Sequence, residues 1–202
     1  MKIENRTPHQ DGFYMPGEFE PQDGVILIWP KRPGSWPYEA KKARKVFAEI
    51  ANKLAETEKV YMLTEPETEA AARELLCENV EILTIPTDDA WARDVGPTFV
   101  TDGKEVRGIN WSFNAWGGTY DGLYQDWQKD DKVAEEFCKQ TGYDYYDAAP
   151  FVLEGGSIHA DGQGTVIATE ACLLSKGRNP ELTKEQIEAK LQEYLGAKKI
   201  KI

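Results

Sequence analysis

Residues 60–85 read VYMLTEPETEAAARELLCENVEILTI, and this stretch decides the fold class. It begins with a short apolar run, Val60–Thr64, and closes with a second one, Val80–Ile85, which Pro86 ends. Between them, from Glu67 to Asn79, apolar residues recur at the three- and four-residue spacing of a helix. A strand, a helix and a second strand in this order are typical of an α/β fold.

The same alternation extends toward the N-terminus. Val25–Trp29 is a continuous apolar run closed by Pro30, which predicts a buried strand. Residues 38–57 carry apolar side chains at helical spacing with Lys and Glu between them, so they predict an amphipathic helix packed on a sheet. The apolar face of this helix is predicted to contain Val46, Phe47, Ile50, Ala51 and Leu54. The order β, α, β, α, β therefore predicts an α/β fold.

After Asp94 the pattern changes to short strands separated by polar turns. The predicted elements are a hairpin of residues 98–101 and 106–113, a helix at 131–140, strands at 143–146, 151–153 and 165–169, and a helix at 183–195. This last helix has the clearest ends, because Thr183 and Gln186 have the spacing of a capping box and Gly196 follows the last apolar residue. Residues 198–202 alternate like the start of one more strand.

Composition and charge exclude several classes of protein. The 202 residues carry a formal charge of −11, which works against binding to nucleic acid or to an anionic membrane and favours cationic partners. With 41% hydrophobic and 11% aromatic residues the chain is expected to fold, and residues 1–202 are expected to form a single domain. Three cysteines without CxxC spacing support neither a disulfide framework nor a zinc cluster. Without an apolar run long enough for a membrane span or a leader, a cytoplasmic location is expected.

The densest polar cluster is TDDAWARDVGP at residues 87–97, directly after an apolar strand. Three carboxylates, a Trp and an Arg at the end of a strand lie where α/β proteins place ligand sites. Carboxylates and an aromatic face together could clamp a planar guanidinium ion. In an alternative interpretation, Arg93 pairs with one Asp and the other carboxylates cap the loop.

Two further clusters are FNAWGG at residues 113–118 and LEGGSIH at residues 153–159. In the second of these, a strand delivers Glu154 to its end, and the two following glycines would let the backbone approach a ligand closely. The double glycine is equally compatible with an ordinary hairpin turn. His159 is interpreted as a structural or surface residue. The three cysteines are interpreted as structural, because none has a His or Asp neighbour that would lower its pKa. Motifs for dinucleotides, nucleotides, serine esterases and zincins are absent from the sequence.

Taken together, six motifs resemble the agmatine deiminases, a family of guanidine-modifying enzymes. They are MPGEFE (15–20), IWP (28–30), TDDAWARDVGP (87–97), FNAWGG (113–118), LEGGSIH (153–159) and RNP (178–180). The resemblance implies a pentein fold, the five-bladed α/β propeller, of which this chain would supply about three modules. The motifs cover the chain but only the N-terminal part of the family.

The resemblance also implies a covalent hydrolysis of agmatine to N-carbamoylputrescine and ammonia, within putrescine biosynthesis and polyamine metabolism. Asp94 would be a catalytic carboxylate that holds the guanidinium, and Glu154 a further substrate-binding acid. Trp91 and Trp116 would be walls of the substrate pocket. The mechanism needs neither a metal nor an organic cofactor.

The family's His-x-Asp motif and the glycine-rich segment with its nucleophilic Cys do not occur in these residues. The chain is therefore expected to be a fragment, or one half of a split enzyme whose complementary C-terminal half carries His and Cys. The complete protein is expected to form a homo-oligomer that acts on agmatine or a similar small guanidinium compound. The alternative is a non-catalytic protein that binds guanidinium compounds or polyamines.

Overall fold

The computed structural model describes residues 1–202 and divides them into two compact units. The larger unit comprises Met1–Glu20 and Arg93–Ile202, and the smaller unit comprises Pro21–Ala92. The strands are β1 (Lys2–Ile3), β2 (Val25–Ile28), β3 (Val60–Thr64), β4 (Val80–Thr84), β5 (Thr98–Thr101), β6 (Val106–Ser112), β7 (Tyr145–Val152), β8 (Ile158–Ala160), β9 (Thr165–Ala168) and β10 (Lys199–Lys201). The helices are α1 (Pro8–Asp11), α2 (Lys41–Leu54), α3 (Pro66–Arg73), α4 (Ala92–Val95), α5 (Gly118–Asp121), α6 (Val133–Thr141), α7 (Glu170–Leu173) and α8 (Lys184–Leu195). No helix has both the length and the apolar character that crossing a membrane requires.

The smaller unit is a three-stranded parallel sheet in the order β2-β3-β4, with α2 and α3 connecting the strands. Val60 lies opposite Val25 on one side and Val80 on the other, as the three apolar runs of the sequence predict. Every residue of β3 is buried, and its Val60 and Met62 belong to the same core cluster as the residues of α2 that cover the sheet. The predicted β, α, β, α, β order is thus confirmed for this unit.

The predicted apolar face of α2 is confirmed in part, because Ala51 is buried and Phe47 and Leu54 are half-buried. Ala48 and Ala51 are buried, whereas Val46 and Ile50 remain 51% and 45% exposed. The two alanines belong to the same core cluster as Trp29 and Met62. Small side chains allow close packing of the helix on the sheet, so the alanine stripe faces the core and the Val46–Ile50 stripe does not.

Helix α3 is shorter than predicted, because it ends at Arg73 and not at Asn79. The reason lies in Asn52 of α2, whose amide nitrogen donates to the carbonyl of Leu75 at 2.9 Å and whose amide oxygen accepts from the Cys77 amide at 2.8 Å. These two bonds satisfy backbone groups outside the helix. They offer the chain an alternative to another helical turn. Cys77 therefore lies after the end of α3, where it is exposed.

The larger unit contains two mixed sheets. One has the order β1-β7-β6-β5, in which β5 is antiparallel to β6 and the other pairs are parallel. The other has the order β10-β9-β8, in which β10 runs parallel and β8 antiparallel to β9. The predicted hairpin of β5 and β6 is confirmed, and residues 199–201 form the strand that their alternation indicates.

Two other predictions for this unit meet opposite outcomes. The strands predicted at 143–146 and 151–153 form one strand, β7, in which Asp147 accepts a hydrogen bond from the Ala149 amide at 3.2 Å. Helix α8 has the predicted ends: the Gln186 amide donates to the Thr183 hydroxyl, the Thr183 amide donates to the Gln186 side chain at 2.8 Å, and Gly196 adopts the left-handed conformation. With these corrections, the predicted α/β fold class is confirmed.

Candidate functional site

Three of the predicted site residues lie at one edge of the sheet β1-β7-β6-β5. Trp116 follows the carboxyl end of β6, and Glu154 follows the carboxyl end of the parallel neighbour β7. Asp94 precedes β5, which is antiparallel to β6. The start of β5 therefore lies beside the carboxyl half of β6, with Thr98 opposite Ile109. The topology of this sheet therefore brings together residues that are 60 positions apart along the chain.

Asp94 lies in the short helix α4 and is half-buried. Its Oδ1 accepts a hydrogen bond from the Gly156 amide at 3.0 Å. Burial raises the pKa of the Asp94 carboxyl, while the bond from Gly156 and the charge of Arg93 act in the opposite direction. The Arg93–Asp94 ion pair of the alternative interpretation does not form: the Arg93 Nε donates to the Gly155 carbonyl at 3.2 Å, and its terminal nitrogen lies 3.5 Å from a carboxylate oxygen of Glu18.

The double glycine serves this contact and is not a hairpin turn, since residues 155–157 form a 3-10 turn. A β-carbon at Gly155 would lie 2.2 Å from the Arg93 carbonyl oxygen. A β-carbon at Gly156 would lie 2.4 Å from the Asp94 carboxylate. The sequence predicted that the backbone of the two glycines would approach a ligand closely. In the structure this backbone instead approaches Arg93 and Asp94.

Glu154 is only 1% exposed, yet its carboxylate is incompletely paired. Its Oε1 accepts from the Arg178 Nε at 2.9 Å, whereas its Oε2 has no hydrogen-bond partner. Burial raises the pKa of Glu154 and Arg178 opposes that rise, while the nearby charge of Asp94 adds to it. A buried carboxylate oxygen without a donor is costly in a folded protein, so it is the strongest indication of a binding site in this region.

Trp116 is half-buried and held by other aromatic rings. Its ring meets Phe113 edge-on at 5.1 Å and Tyr124 at 5.9 Å between centroids. Tyr124 is in turn fixed by its hydroxyl, which donates to the buried Asp130 at 2.5 Å. Both Ala115 and Trp116 have positive φ angles, a strained conformation that such a scaffold can maintain at a functional site.

Trp91 belongs to the smaller unit and is 37% exposed. Its indole nitrogen donates to Asp89 at 2.9 Å, and the indole of Trp36 donates to the same carboxylate at 2.8 Å. The hydroxyl of Ser35 and the Ala90 amide also donate to Asp89, which is 1% exposed. Asp89 is therefore a loop-stabilising carboxylate, as the alternative interpretation states for part of this cluster.

The remaining candidates of the sequence lie in ordinary surroundings. Cys138 is buried, and burial raises the pKa of its thiol to about 12. Cys172 is half-buried beside the Thr169 hydroxyl, and His159 is exposed. No group of three or more His, Cys, Asp or Glu side chains is arranged to hold a metal ion. A surface cleft of about 460 Å³ is lined by Tyr120, Leu174, Lys176, Asn179, Pro180, Leu182 and Lys184, so it contains none of the candidate carboxylates.

Sequence reasoning missed Arg178 as the partner of Glu154. Arg178 was part of a recognised motif, but nothing in the sequence links it to Glu154, 24 residues away. The one available signal is that a glutamate predicted at the end of a buried strand needs a cation. That signal does not identify which cation.

Comparisons with known proteins show what this chain is similar to. Residues 14–202 match the family described as Porphyromonas-type peptidyl-arginine deiminase. A relative from Selenomonas ruminantium, provisionally named an agmatine deiminase, is 55% identical over 99% of this chain and 55% of its own length. The structure of agmatine deiminase of Enterococcus faecalis superposes with a TM-score of 0.96 at 46% identity, covering 98% of this chain and 55% of that one.

A more distant structure, C. jejuni agmatine deiminase as a cysteine-to-serine variant with substrate bound, has a TM-score of 0.78 at 27% identity, covering 93% of this chain and 55% of that one. The chain thus spans about half the length of the relatives that it matches. Because the family match extends over nearly all of its residues, this chain belongs to the Porphyromonas-type peptidyl-arginine deiminase family and, as its motifs indicate, resembles the agmatine deiminases.

Proposed function

We propose that this chain provides the guanidinium-binding carboxylates of an agmatine deiminase. One observation carries the proposal: the buried Oε2 of Glu154 lacks a donor at the same sheet edge that holds Asp94. A guanidinium ion is a planar cation with several N–H donors, so it supplies both the missing hydrogen bond and the missing positive charge.

Two carboxylate oxygens are available for such a ligand. Asp94 uses Oδ1 for the Gly156 amide, which leaves its Oδ2 as an acceptor. Glu154 uses Oε1 for Arg178, which leaves its Oε2. Burial raises the pKa of both groups, and a bound cation would lower both values and favour the charged pair.

In this proposal Trp91 and Trp116 are pocket walls. An aromatic face attracts a guanidinium ion through its quadrupole and excludes water from it. Each indole is pre-oriented within its own unit: Asp89 holds Trp91, and the Phe113 and Tyr124 rings hold Trp116. Pre-orientation reduces the entropy lost when the substrate binds.

The covalent steps require residues outside this chain. A Cys thiolate from a complementary C-terminal half attacks the guanidinium carbon, and the C–N bond to the terminal nitrogen breaks to release ammonia. Water activated by a His of the same half then cleaves the thioether, giving N-carbamoylputrescine and the free thiol. The substrate-bound cysteine-to-serine variant of the C. jejuni relative supports this use of cysteine. The chemistry assigns no step to a metal or organic cofactor.

The wider predictions follow from the same proposal. The three sheets support about three modules of a pentein propeller, and the two compact units would be parts of one domain covering residues 1–202. The complete enzyme would be a cytoplasmic homo-oligomer that supplies putrescine biosynthesis.

A non-catalytic guanidinium-binding protein is the second candidate. The observation that favours it is that no cysteine of this chain is set up as a nucleophile: Cys138 carries a thiol whose pKa burial raises to about 12, and Cys77 and Cys172 lie outside the site described above. For the 202-residue chain alone, both candidates predict binding without hydrolysis.

Calorimetric titration of the 202-residue chain with agmatine tests the proposal, with putrescine as the matched ligand that lacks the guanidinium. We expect binding of agmatine only, and at least a tenfold loss of affinity in Glu154→Gln. Glu78→Gln, on an exposed residue, is the control for the same change of charge. Equal binding of both ligands would refute the proposal. Hydrolysis after addition of a C-terminal half would separate the enzyme from the non-catalytic binder.

A further inference from the structure

Arg178 makes an unusual contact with Glu154. Arginine often grips a carboxylate with two parallel hydrogen bonds. Here the Nε donates to Oε1 alone at 2.9 Å, and the other side of the guanidinium faces Ser175 at 3.5 Å and Asp121 at 4.0 Å. The Arg178 side chain is 9% exposed, so the pair is withdrawn from water together. The result is one satisfied and one unsatisfied oxygen on the same carboxylate.

The backbone on both sides of Arg178 is fixed. The side-chain Nδ2 of Asn114 donates to the Gly177 carbonyl at 2.7 Å, which ties this segment to the loop that carries Trp116. The Asn179 side chain accepts from the Val152 amide at 2.9 Å and donates to the Val152 carbonyl at 2.8 Å. Val152 is only two residues before Glu154. The backbone that carries Arg178 is therefore anchored beside the strand end that carries Glu154.

The segment also has no room to shift. A β-carbon at Gly177 would lie 2.4 Å from the Asp121 carboxylate and 2.7 Å from Gly117. Asp121 belongs to the same short helix, α5, that follows Trp116. Arg178 thus stands where three of the motifs of the sequence meet: the loop at 113–118, the Glu154 segment and its own.

We infer that Arg178 is a positioning residue of the proposed site: it holds Glu154 by Oε1, so that Oε2 is the one oxygen presented to a substrate N–H. This inference rests on the proposed function. It predicts that Glu154 contacts the substrate through Oε2 alone and leaves N–H groups beyond its reach to other acceptors such as Asp94. Arg178 itself does not contact the substrate.

The test is a titration of the Glu154 carboxyl by ¹³C NMR in the 202-residue chain, with the signal assigned by its loss in Glu154→Gln. Arg178→Gln removes the charge, so we expect the pKa of Glu154 to rise by about one unit or more. Arg73→Gln, which breaks an exposed ion pair with Glu69 (2.7 Å), is the control and should leave that pKa unchanged. An unchanged Glu154 pKa in a folded Arg178→Gln chain would overturn the inference.

Arg178→Lys separates charge from geometry and guards against a misfolded glutamine variant. Lysine keeps the positive charge but lacks the planar Nε–H, so the Glu154 pKa should stay near its wild-type value while agmatine affinity falls about tenfold. Wild-type agmatine affinity in Arg178→Lys would also overturn the inference. A wild-type chain that does not bind agmatine would refute the proposed function instead, and the carboxyl titration would still decide whether Arg178 controls Glu154.

Discussion

Asp89 and Glu154 are both carboxylates with 1% exposure, but their surroundings differ. Asp89, in the smaller unit, accepts hydrogen bonds from a hydroxyl, two indoles and a backbone amide. Glu154, in the larger unit, has one partner and one oxygen without any. A buried acid whose hydrogen bonds are complete stabilises its loop, whereas one left incomplete is ready for a ligand. Because both carboxylates are equally buried, the difference between them lies in how many hydrogen-bond donors surround their oxygens.

The largest expected effect comes from a substitution of Asp89, the carboxylate whose hydrogen bonds are complete. Asp89→Asn replaces an acceptor with an amide donor that faces indole N–H groups, so we expect a loss of about 3 kcal/mol in the free energy of unfolding. For a chain of this size, that corresponds to a fall in Tm of about 6–12 °C. Thermal unfolding followed by tryptophan fluorescence measures it. A Tm within 2 °C of wild type would contradict the structural role.

The next effect concerns Asp94, which the proposed function assigns to substrate binding. In an enzyme assembled with its C-terminal half, Asp94→Asn should lower kcat/KM for agmatine on the order of 10²-fold, because a neutral amide offers a donor where the substrate needs an acceptor. Kinetics and thermal stability are measured on the same protein. Near-normal kcat/KM together with a lowered Tm would assign Asp94 a structural role only.

A smaller effect is the pH dependence that Glu154 gives to stability. Its folded pKa is raised above the unfolded value of about 4.5, so the folded state holds the proton more tightly. Its contribution is therefore fully present below the unfolded pKa and is lost as the pH rises through the folded pKa. The loss is about 1.4 kcal/mol for each unit by which the two values differ.

Urea unfolding of wild type and Glu154→Gln between pH 4 and pH 8 measures this contribution. The advantage of wild type over the variant should shrink as the pH rises, while the unpaired Arg178 of the variant remains charged throughout. Parallel stability curves would show that Glu154 does not titrate in this range.

The smallest expected effect is that of Asp88→Asn. Asp88 is only half-buried, unlike Asp89, and its backbone carbonyl, which accepts from Arg32 at 3.4 Å, is unchanged by the substitution. We expect a change within about 0.5 kcal/mol in the free energy of unfolding. A loss comparable to that of Asp89→Asn would mean that the two neighbours share one role.

Much of the fold was predictable because strand signals are local. The apolar runs of β2, β3 and β4 and the capping residues of α8 are read within a few positions. The end of α3 was not predictable, because Asn52 of another helix captures its continuation. The exposure of Val46 on α2 was not predictable either, since Val46 and Ala48 both fit a helical period and only packing on the sheet distinguishes them.

In the candidate site, too, some features could be predicted from the sequence and others depend on contacts between distant residues. The resemblance singled out Asp94 and Glu154 from an acid-rich sequence, and sheet topology brings them to one edge. Composition could not tell Asp89 from Asp94, since the difference lies in indole donors such as Trp36, 53 residues away. Nor could it identify Arg178, whose relation to Glu154 exists only after folding.

The tight packing of Gly155 and Gly156 against Arg93 and Asp94 has a consequence for how such a protein evolves. Any side chain at Gly156 must displace the Asp94 carboxylate. Mutations at positions 94 and 156 are therefore epistatic and cannot be explored one at a time. A library that randomises residues 93–94 should therefore keep the double glycine fixed. A viable lineage that loses Gly156 must first have changed Asp94, whereas at Gly155 the obstacle is the backbone carbonyl of Arg93, which no substitution at residue 93 removes.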